Sequence, residues 1–149
     1  MKKFFLIVPL LLIIFCCVIR CKKDEPINIV LYDKPLVTIQ HYIQGKWKLV
    51  YGKGGICGSC VFPCDNCYFE YTSDNRFISK AFAITTDTTT VQWIRDIGMY
   101  LNGDSTYIMT FVDKYGAPSS YVIDRIYYDT LIYHDNAWDP MFYHCVRSN

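Results

Sequence analysis

Hydrophobic positions are spread along the chain in three different ways. An uncharged, apolar run covers residues 4–19, behind Met1-Lys2-Lys3 and ahead of Arg20-Cys21-Lys22-Lys23-Asp24-Glu25. Residues 22–35 are polar and carry Pro26 and Pro35, the composition of a flexible tether. From residue 36 onward, apolar residues recur at short, regular spacings. Leu36, Ile39 and Ile43 follow Pro35 at helical spacing, so 36–43 predicts a short helix with a proline suited to its first turn. After that helix the period shortens to two. Strands are predicted over 46–53, 68–72, 77–85, 88–97, 106–113, 121–127, 130–134 and 142–147. In 106–113, Tyr107, Met109 and Phe111 share one face, while Ile108 and Val112 share the other. Both faces are apolar there, so one needs a core or ligand and the other a covering element.

Turn chemistry separates the runs. Ser73-Asp74-Asn75-Arg76 is a hairpin signal between aromatic segments, and Asn102-Gly103-Asp104-Ser105, Lys114-Tyr115-Gly116-Ala117-Pro118 and Asp135-Asn136 mark further bends. About eight short strands, with no long amphipathic helix among them, predict an all-β domain over 36–149, an antiparallel barrel or sandwich, and closure would hide the sheet edges. Removing residues 1–20 leaves 129 residues, enough to close one modest core.

The leader has a physical logic of its own. Lys2 and Lys3 hold the N-terminus on the cytoplasmic side while the apolar run enters hydrocarbon. That run falls short of the roughly 20 residues a permanent span requires, and Pro9 would kink a lasting helix. Cys21 directly after the run resembles the lipobox of bacterial lipoproteins, with Val18 and Ile19 suited to their positions and Arg20 standing where a small residue is usual. Cys16 and Cys17, inside the run, read as membrane-embedded filler. The resemblance implies a signal peptide over 1–20, lipidation of Cys21 with long fatty acids such as palmitate, an acylated tether over 21–35, and an outer-membrane, lipid-anchored location. Lys22-Lys23-Asp24-Glu25 resembles the charged export tag of surface-displayed lipoproteins in one group of Gram-negative bacteria; it reads equally well as a solvated tether.

Charge narrows the partners. The chain has fifteen basic and fourteen acidic residues. Its leader holds three of the basic ones, which leaves twelve against fourteen and a formal charge of −2 once it is removed. That balance argues against nucleic acid as a partner. Thirteen tyrosines suit half-buried sheet surfaces and, with their polar tips, binding surfaces.

Gly45-Lys46-Trp47 at the start of the first strand resembles the Gly-x-Trp motif with which lipocalins open their barrel. That stretch within 43–50, the segment 69–77 and Thr130-Leu131-Ile132-Tyr133 together resemble the lipocalin-like domains of bacterial envelope lipoproteins, over about residues 43–147. The family's middle Thr-Asp-Tyr motif finds no place in this chain. The resemblance implies an antiparallel up-and-down β-barrel with Trp47 plugging its closed end and Arg147 packed over the indole. It further implies a small apolar or amphipathic ligand in an aromatic-lined cavity. Tyr71, Phe82, Trp93, Tyr107, Met109, Phe111 and Tyr133 are the candidate inward-facing residues, subject to register, because a one-residue slip reverses the faces.

Cys57-Gly58-Ser59-Cys60-Val61-Phe62-Pro63-Cys64-Asp65-Asn66-Cys67 packs four thiols into one short segment, and Cys145 stands apart. As a zinc site the two Cys-x-x-Cys pairs are too close, since structural zinc sites separate their pairs by about 15 to 20 residues. Cys60, Cys64 and Cys67 also have the spacing of an iron–sulfur motif, but Asn66 replaces its usual aromatic and an exported cluster would be oxidised. A redox pair would call for a thioredoxin-like strand and helix around it. Disulfides are the plain reading in an oxidising compartment. Four cysteines allow three connectivities, Cys145 is a further candidate that would reach the start of the cluster across a barrel seam, and one of the five must stay free or pair with another chain.

No catalytic constellation is visible. His41, His134 and His144 sit in different elements without metal-ligand spacing, and Asp129, Asp135 and Asp139 read as turn chemistry. The expectation is a protein that is not an enzyme and carries no cofactor or metal. It holds the membrane through an N-terminal lipid and binds a small lipophilic molecule. The competing expectation is an interaction module whose stapled loop and aromatic surface contact another envelope protein.

Overall fold

The computed structural model of this chain describes residues 27–81 and 85–148. The expected signal peptide, Cys21, Phe82 and the first part of the expected tether lie outside the described residues. Ten strands and one α-helix are formed among the described ones: β1 (Asn28–Val30), α1 (Leu36–Ile43), β2 (Gly45–Gly54), a 3-10 turn (Gly55–Cys57), β3 (Val61–Tyr71), β4 (Arg76–Ala81), β5 (Thr85–Thr90), β6 (Gln92–Ile97), β7 (Ser105–Val112), β8 (Pro118–Tyr127), β9 (Thr130–Asp135) and β10 (Met141–Arg147).

The strands form a single antiparallel sheet in the order β5-β4-β3-β2-β10-β9-β8-β7-β6, with β1 added alongside β8, and the sheet curls into a half-barrel. The all-β, antiparallel expectation holds, whereas the count of eight and the closed up-and-down barrel do not. One cause is the run 88–97. It breaks at Val91, whose N–H donates to Asn75 O at 2.8 Å and whose side chain is buried. The residues before Val91 pair with β4 and those after it with β7. The two margins of the sheet are therefore consecutive in sequence yet share no ladder. Side chains of β5 reach the end of β7 instead: Thr89 Oγ1 donates to Val112 O at 2.9 Å, and Asp87 Oδ2 accepts from Lys114 N at 3.2 Å. Of the strand expected over 77–85, the part up to Ala81 lies in β4 and Thr85 opens β5, with 82–84 outside the described residues.

The other additional strand comes from the segment read as tether. β7 pairs β8 only over Pro118–Val122, leaving the edge of Arg125–Tyr127 open, and β1 occupies it in the register Asn28↔Tyr127 to Val30↔Arg125. Leu31 follows into the core with no exposure, its N–H donating to Asp124 O at 2.7 Å. Residues 28–31 thus belong to the domain.

α1 closes one end. Pro35 caps its start, Ile39 and Ile43 are buried, and Gln40 Nε2 donates to Asn75 Oδ1 at 2.8 Å. The β3–β4 turn is thereby fastened to the helix. On the outer face, Ile108, Val122 and His134 are buried as well. The β6–β7 loop folds back over this face: Met99 N donates to Asn136 Oδ1 at 3.0 Å, and Tyr100 packs edge-on against His134 and Phe142. This loop is the cover that apolar residues on both faces of 106–113 require.

Candidate functional site

At the helix end, Trp47 is completely buried and its Nε1–H donates to Ile43 O at 2.7 Å. Arg147 lies with Cζ 4.3 Å from the Trp47 ring, and its guanidinium donates to Gln44 O at 3.0 Å and Tyr42 O at 3.1 Å. One cation therefore covers the indole face and satisfies carbonyls that α1 leaves open at its C-terminus. Gly45 makes the approach feasible. Its φ of 111° suits glycine, and a Cβ there would stand 3.0 Å from Arg147 Nη1. Gly45, Trp47 and Arg147 form one structural unit at the closed end.

The interior is filled by side chains. Phe77 stacks on Phe111 at 4.8 Å and Tyr133 on Tyr143 at 4.9 Å, with Phe69, Tyr71 and Tyr121 interlocked among them at centroid distances of 5.2 to 5.9 Å. Of the expected inward residues, Met109, Tyr71 and Tyr133 are buried, and Trp93, Tyr107 and Phe111 pack partly buried against the core. These residues make the packing itself rather than the wall of an enclosed apolar cavity. Phe69, Phe77, Tyr121 and Tyr143 were missing from that set. Alternation carried the signal for three of them, since Phe69 falls two residues from Tyr71, Tyr121 two from Ile123, and Tyr143 two from Cys145.

Burial gives this interior its electrostatics. It pushes the Tyr71 and Tyr133 hydroxyls well above the ordinary tyrosine range, with Cys145 adding to both. Tyr143 is raised too, by burial and then by Asp135, whose carboxylate accepts from its hydroxyl at 3.2 Å. The Cys145 thiol is completely buried and unpaired among the described residues, and burial raises it despite a hydrogen bond with Tyr133. Tyr71 Oη and Trp93 Nε1 are buried without a hydrogen-bond partner among the described residues.

Cys145 does not seal a seam with the cluster. Both bonds form within the cluster, Cys57–Cys60 and Cys64–Cys67, with Cα separations of 5.6 and 5.9 Å. Register explains why. Cys145 and Cys67 both pair with Leu49, from opposite sides of β2. They are two strand spacings apart, about 10 Å, beyond the roughly 7 Å limit for a disulfide. Cys57 lies beyond the end of β2 and is farther still. In the chain-entropy view, closing a loop of four residues constrains the unfolded chain by about 2 kcal/mol, against about 3 kcal/mol for fifteen.

The stapled segment extends β2 and β3 past the bulge at Leu49/Tyr51, pairing Lys53 with Val61. Its tip is tied to the β9–β10 connection by Gly55 N donating to Pro140 O at 3.1 Å. Gly54 permits this with φ 114°, because a Cβ would stand 2.6 Å from Pro140 O. Ile56 is wholly exposed, Val61 and Phe62 are more than half exposed, and Trp138, two residues before Pro140, is 83 % exposed. Four large apolar side chains are thus exposed on the β2–β3 extension and the β9–β10 connection tied to it, with Val61 and Phe62 on opposite faces of β3.

Several openings remain. A cavity of about 80 Å³ lies between α1 and the β3–β4 turn, lined mostly by polar groups including Gln40, Asn75 and Arg76. A cleft of about 620 Å³ follows the unladdered seam, lined by Thr88, Thr89, Thr90, Ser119 and Ser120 with Phe111, Val112 and Pro118. A groove of about 380 Å³ lies under the β6–β7 loop beside Asp124, Arg125 and His134. Arg125 Nε pairs with Asp124 Oδ2 at 2.8 Å, and His134 Nδ1 lies 2.8 Å from Asp135 O, so these groups are already engaged. The remaining histidine of the sheet, His144, stacks on Tyr51, and burial together with Lys53 lowers its basicity. Among the described residues no three His, Cys, Asp or Glu side chains gather in a metal-holding group, and no helix is long and apolar enough to cross a membrane.

No protein-family model, curated protein or solved structure matches the chain.

Proposed function

We propose that this protein is a membrane-tethered, non-catalytic interaction module of the bacterial envelope, with the half-barrel as scaffold and the stapled β2–β3 extension as its contact surface. The single observation that carries the reading is the inversion of apolar placement. The interior is packed shut by aromatics, while Ile56, Val61, Phe62 and Trp138 stand in solvent at one end. Exposing such groups together is costly without a partner, and clustered apolar side chains mark interaction sites. The partner fitting this end is an envelope protein presenting a largely apolar face, since no charged residue lies between Lys53 and Asp65 and Asp139 is the one charge beside Trp138. The leader and Cys21 supply the address, an outer-membrane lipid anchor.

Photo-crosslinking in the intact envelope tests the contact. A crosslinker replacing Phe62 or Trp138 should give a discrete adduct that a crosslinker replacing the exposed Lys80 does not, and the adduct should weaken with Ile56→Ser. Identical patterns at all three positions would sink the reading. The tether is tested by fatty-acid labelling, which Cys21→Ser should abolish.

A second reading, capture of a small amphipathic ligand, draws support from the seam cleft of about 620 Å³, a volume within the usual range for ligand sites and lined by hydroxyls around Phe111. Native mass spectrometry after incubation with lipid extract would favour it if a retained molecule were lost with Phe111→Ser.

A further inference from the structure

The two disulfides close loops of equal length in unequal surroundings. Cys64 and Cys67 lie within β3, and Cys67 is buried on the same face as Phe69 and Tyr71. Cys57 ends the 3-10 turn and is exposed, and Cys60 stands just ahead of β3. Gly58 lies between them with φ 62°, and nothing stands within 4 Å of where its Cβ would be. Both the attacked sulfur and the side from which a reagent would come are therefore open. Disulfide exchange depends on this access, together with the ability of the departing thiolate to be solvated.

The surrounding backbone does not need the bond to hold its shape. Gly54 N donates to Cys60 O at 3.1 Å, Gly58 N to Gly55 O at 2.7 Å and Gly55 N to Pro140 O at 3.1 Å, while Lys53 stays paired with Val61. Breaking the Cys57–Cys60 bond thus asks for no opening of the sheet. Breaking Cys64–Cys67 asks either for attack on the buried Cys67 sulfur or for Cys67 to leave as a thiolate on the core side of β3.

We infer that Cys57–Cys60 is a thiol–disulfide exchange site that accepts two electrons from a dithiol partner, and that Cys64–Cys67 is the structural staple beneath it. A thiolate of the dithiol attacks Cys57 Sγ, forming a mixed disulfide. The Cys57–Cys60 bond breaks, and its electron pair leaves on Cys60 Sγ, which takes a proton from solvent. The second thiol of the partner, as thiolate, then attacks its own sulfur in the mixed disulfide and releases Cys57, which is protonated in turn. The partner ends as a disulfide and the loop as two thiols; the reverse sequence restores the bond. This chemistry asks only for an open disulfide and not for the thiol-activating helix of a thioredoxin-like pair; it goes beyond the contact role proposed above and does not depend on it.

Graded dithiothreitol on the oxidised mature protein, quenched with iodoacetamide and read by peptide mass, tests the inference. Cys57 and Cys60 should become alkylated about tenfold or more faster than Cys64 and Cys67, with the circular dichroism spectrum unchanged and Cys145 unlabelled. In a Cys60→Ser variant, the single Cys57 thiol should react with an aromatic disulfide reagent in the folded state, at a rate well above that of Cys145. Equal rates for the two pairs, earlier loss of Cys64–Cys67, or reduction only after unfolding would overturn it. Crosslinking at Phe62 reads the contact surface separately, so either idea can fail alone.

Discussion

The interior of the half-barrel and the tip of the β2–β3 extension use the same kinds of residue to opposite ends. Inside, aromatics and Cys145 are locked among neighbours and their ionisable groups are held neutral. At the tip, Ile56, Phe62 and Cys57 face water, with Cys60 half-buried beside them. The difference teaches that stability resides in one region and accessibility in the other. Residue type alone does not tell which is which.

Alkaline titration should separate the two regions most strongly. Cys145, Tyr71 and Tyr133 have folded pKa values above their unfolded values of 9.0 and 10.0. The unfolded chain releases those protons first, so this stability is fully present below about pH 9 and is lost as pH rises. A group that ionises only in the unfolded chain contributes a slope of up to about 1.4 kcal/mol per pH unit above its unfolded value. Melting temperature should fall steeply above pH 9, with tyrosinate absorbance of the two buried tyrosines appearing only on unfolding. A flat profile to pH 11 would break the contrast.

Trp47→Ala removes the plug, its hydrogen bond and its cation contact together. A loss of about 3–5 kcal/mol in urea unfolding is expected. Arg147→Lys keeps the charge and loses the planar fork that reaches Tyr42 O and Gln44 O, so about 1–2 kcal/mol should go. Ile56→Ser should stay within about 0.5 kcal/mol of the parent, because it removes nothing packed. A large destabilisation there would mean that the tip is part of the core after all.

Legibility follows the same division. The helix over 36–43 and the bend near Ser73–Arg76 were readable because spacing and turn chemistry are local. Inward residues on 106–113 were readable because a strand's faces alternate. Val91 was not readable as a break, since its neighbours 88–97 are all compatible with one strand and the interruption comes from Asn75 on another turn. β1 was hidden for a similar reason. Asn28–Val30 looks like tether until the unpaired edge of β8 is present to receive it. The cysteine pairing left three connectivities open, and the register around Leu49 excluded the additional bond to Cys145.

The packing of Arg147 over Trp47 was only what the resemblance implied; by itself the sequence determined the all-β class, the capping helix and the presence of a disulfide-prone loop. These depend on periodicity, turn residues and composition, which act over a few positions. Tertiary structure decided that the sheet stops at a half-barrel of ten strands, that its aromatics fill the interior, and that Cys145 is sealed while Cys57 is open. Each of those outcomes depends on which strands lie side by side and in what register, and distant parts of the chain set that together.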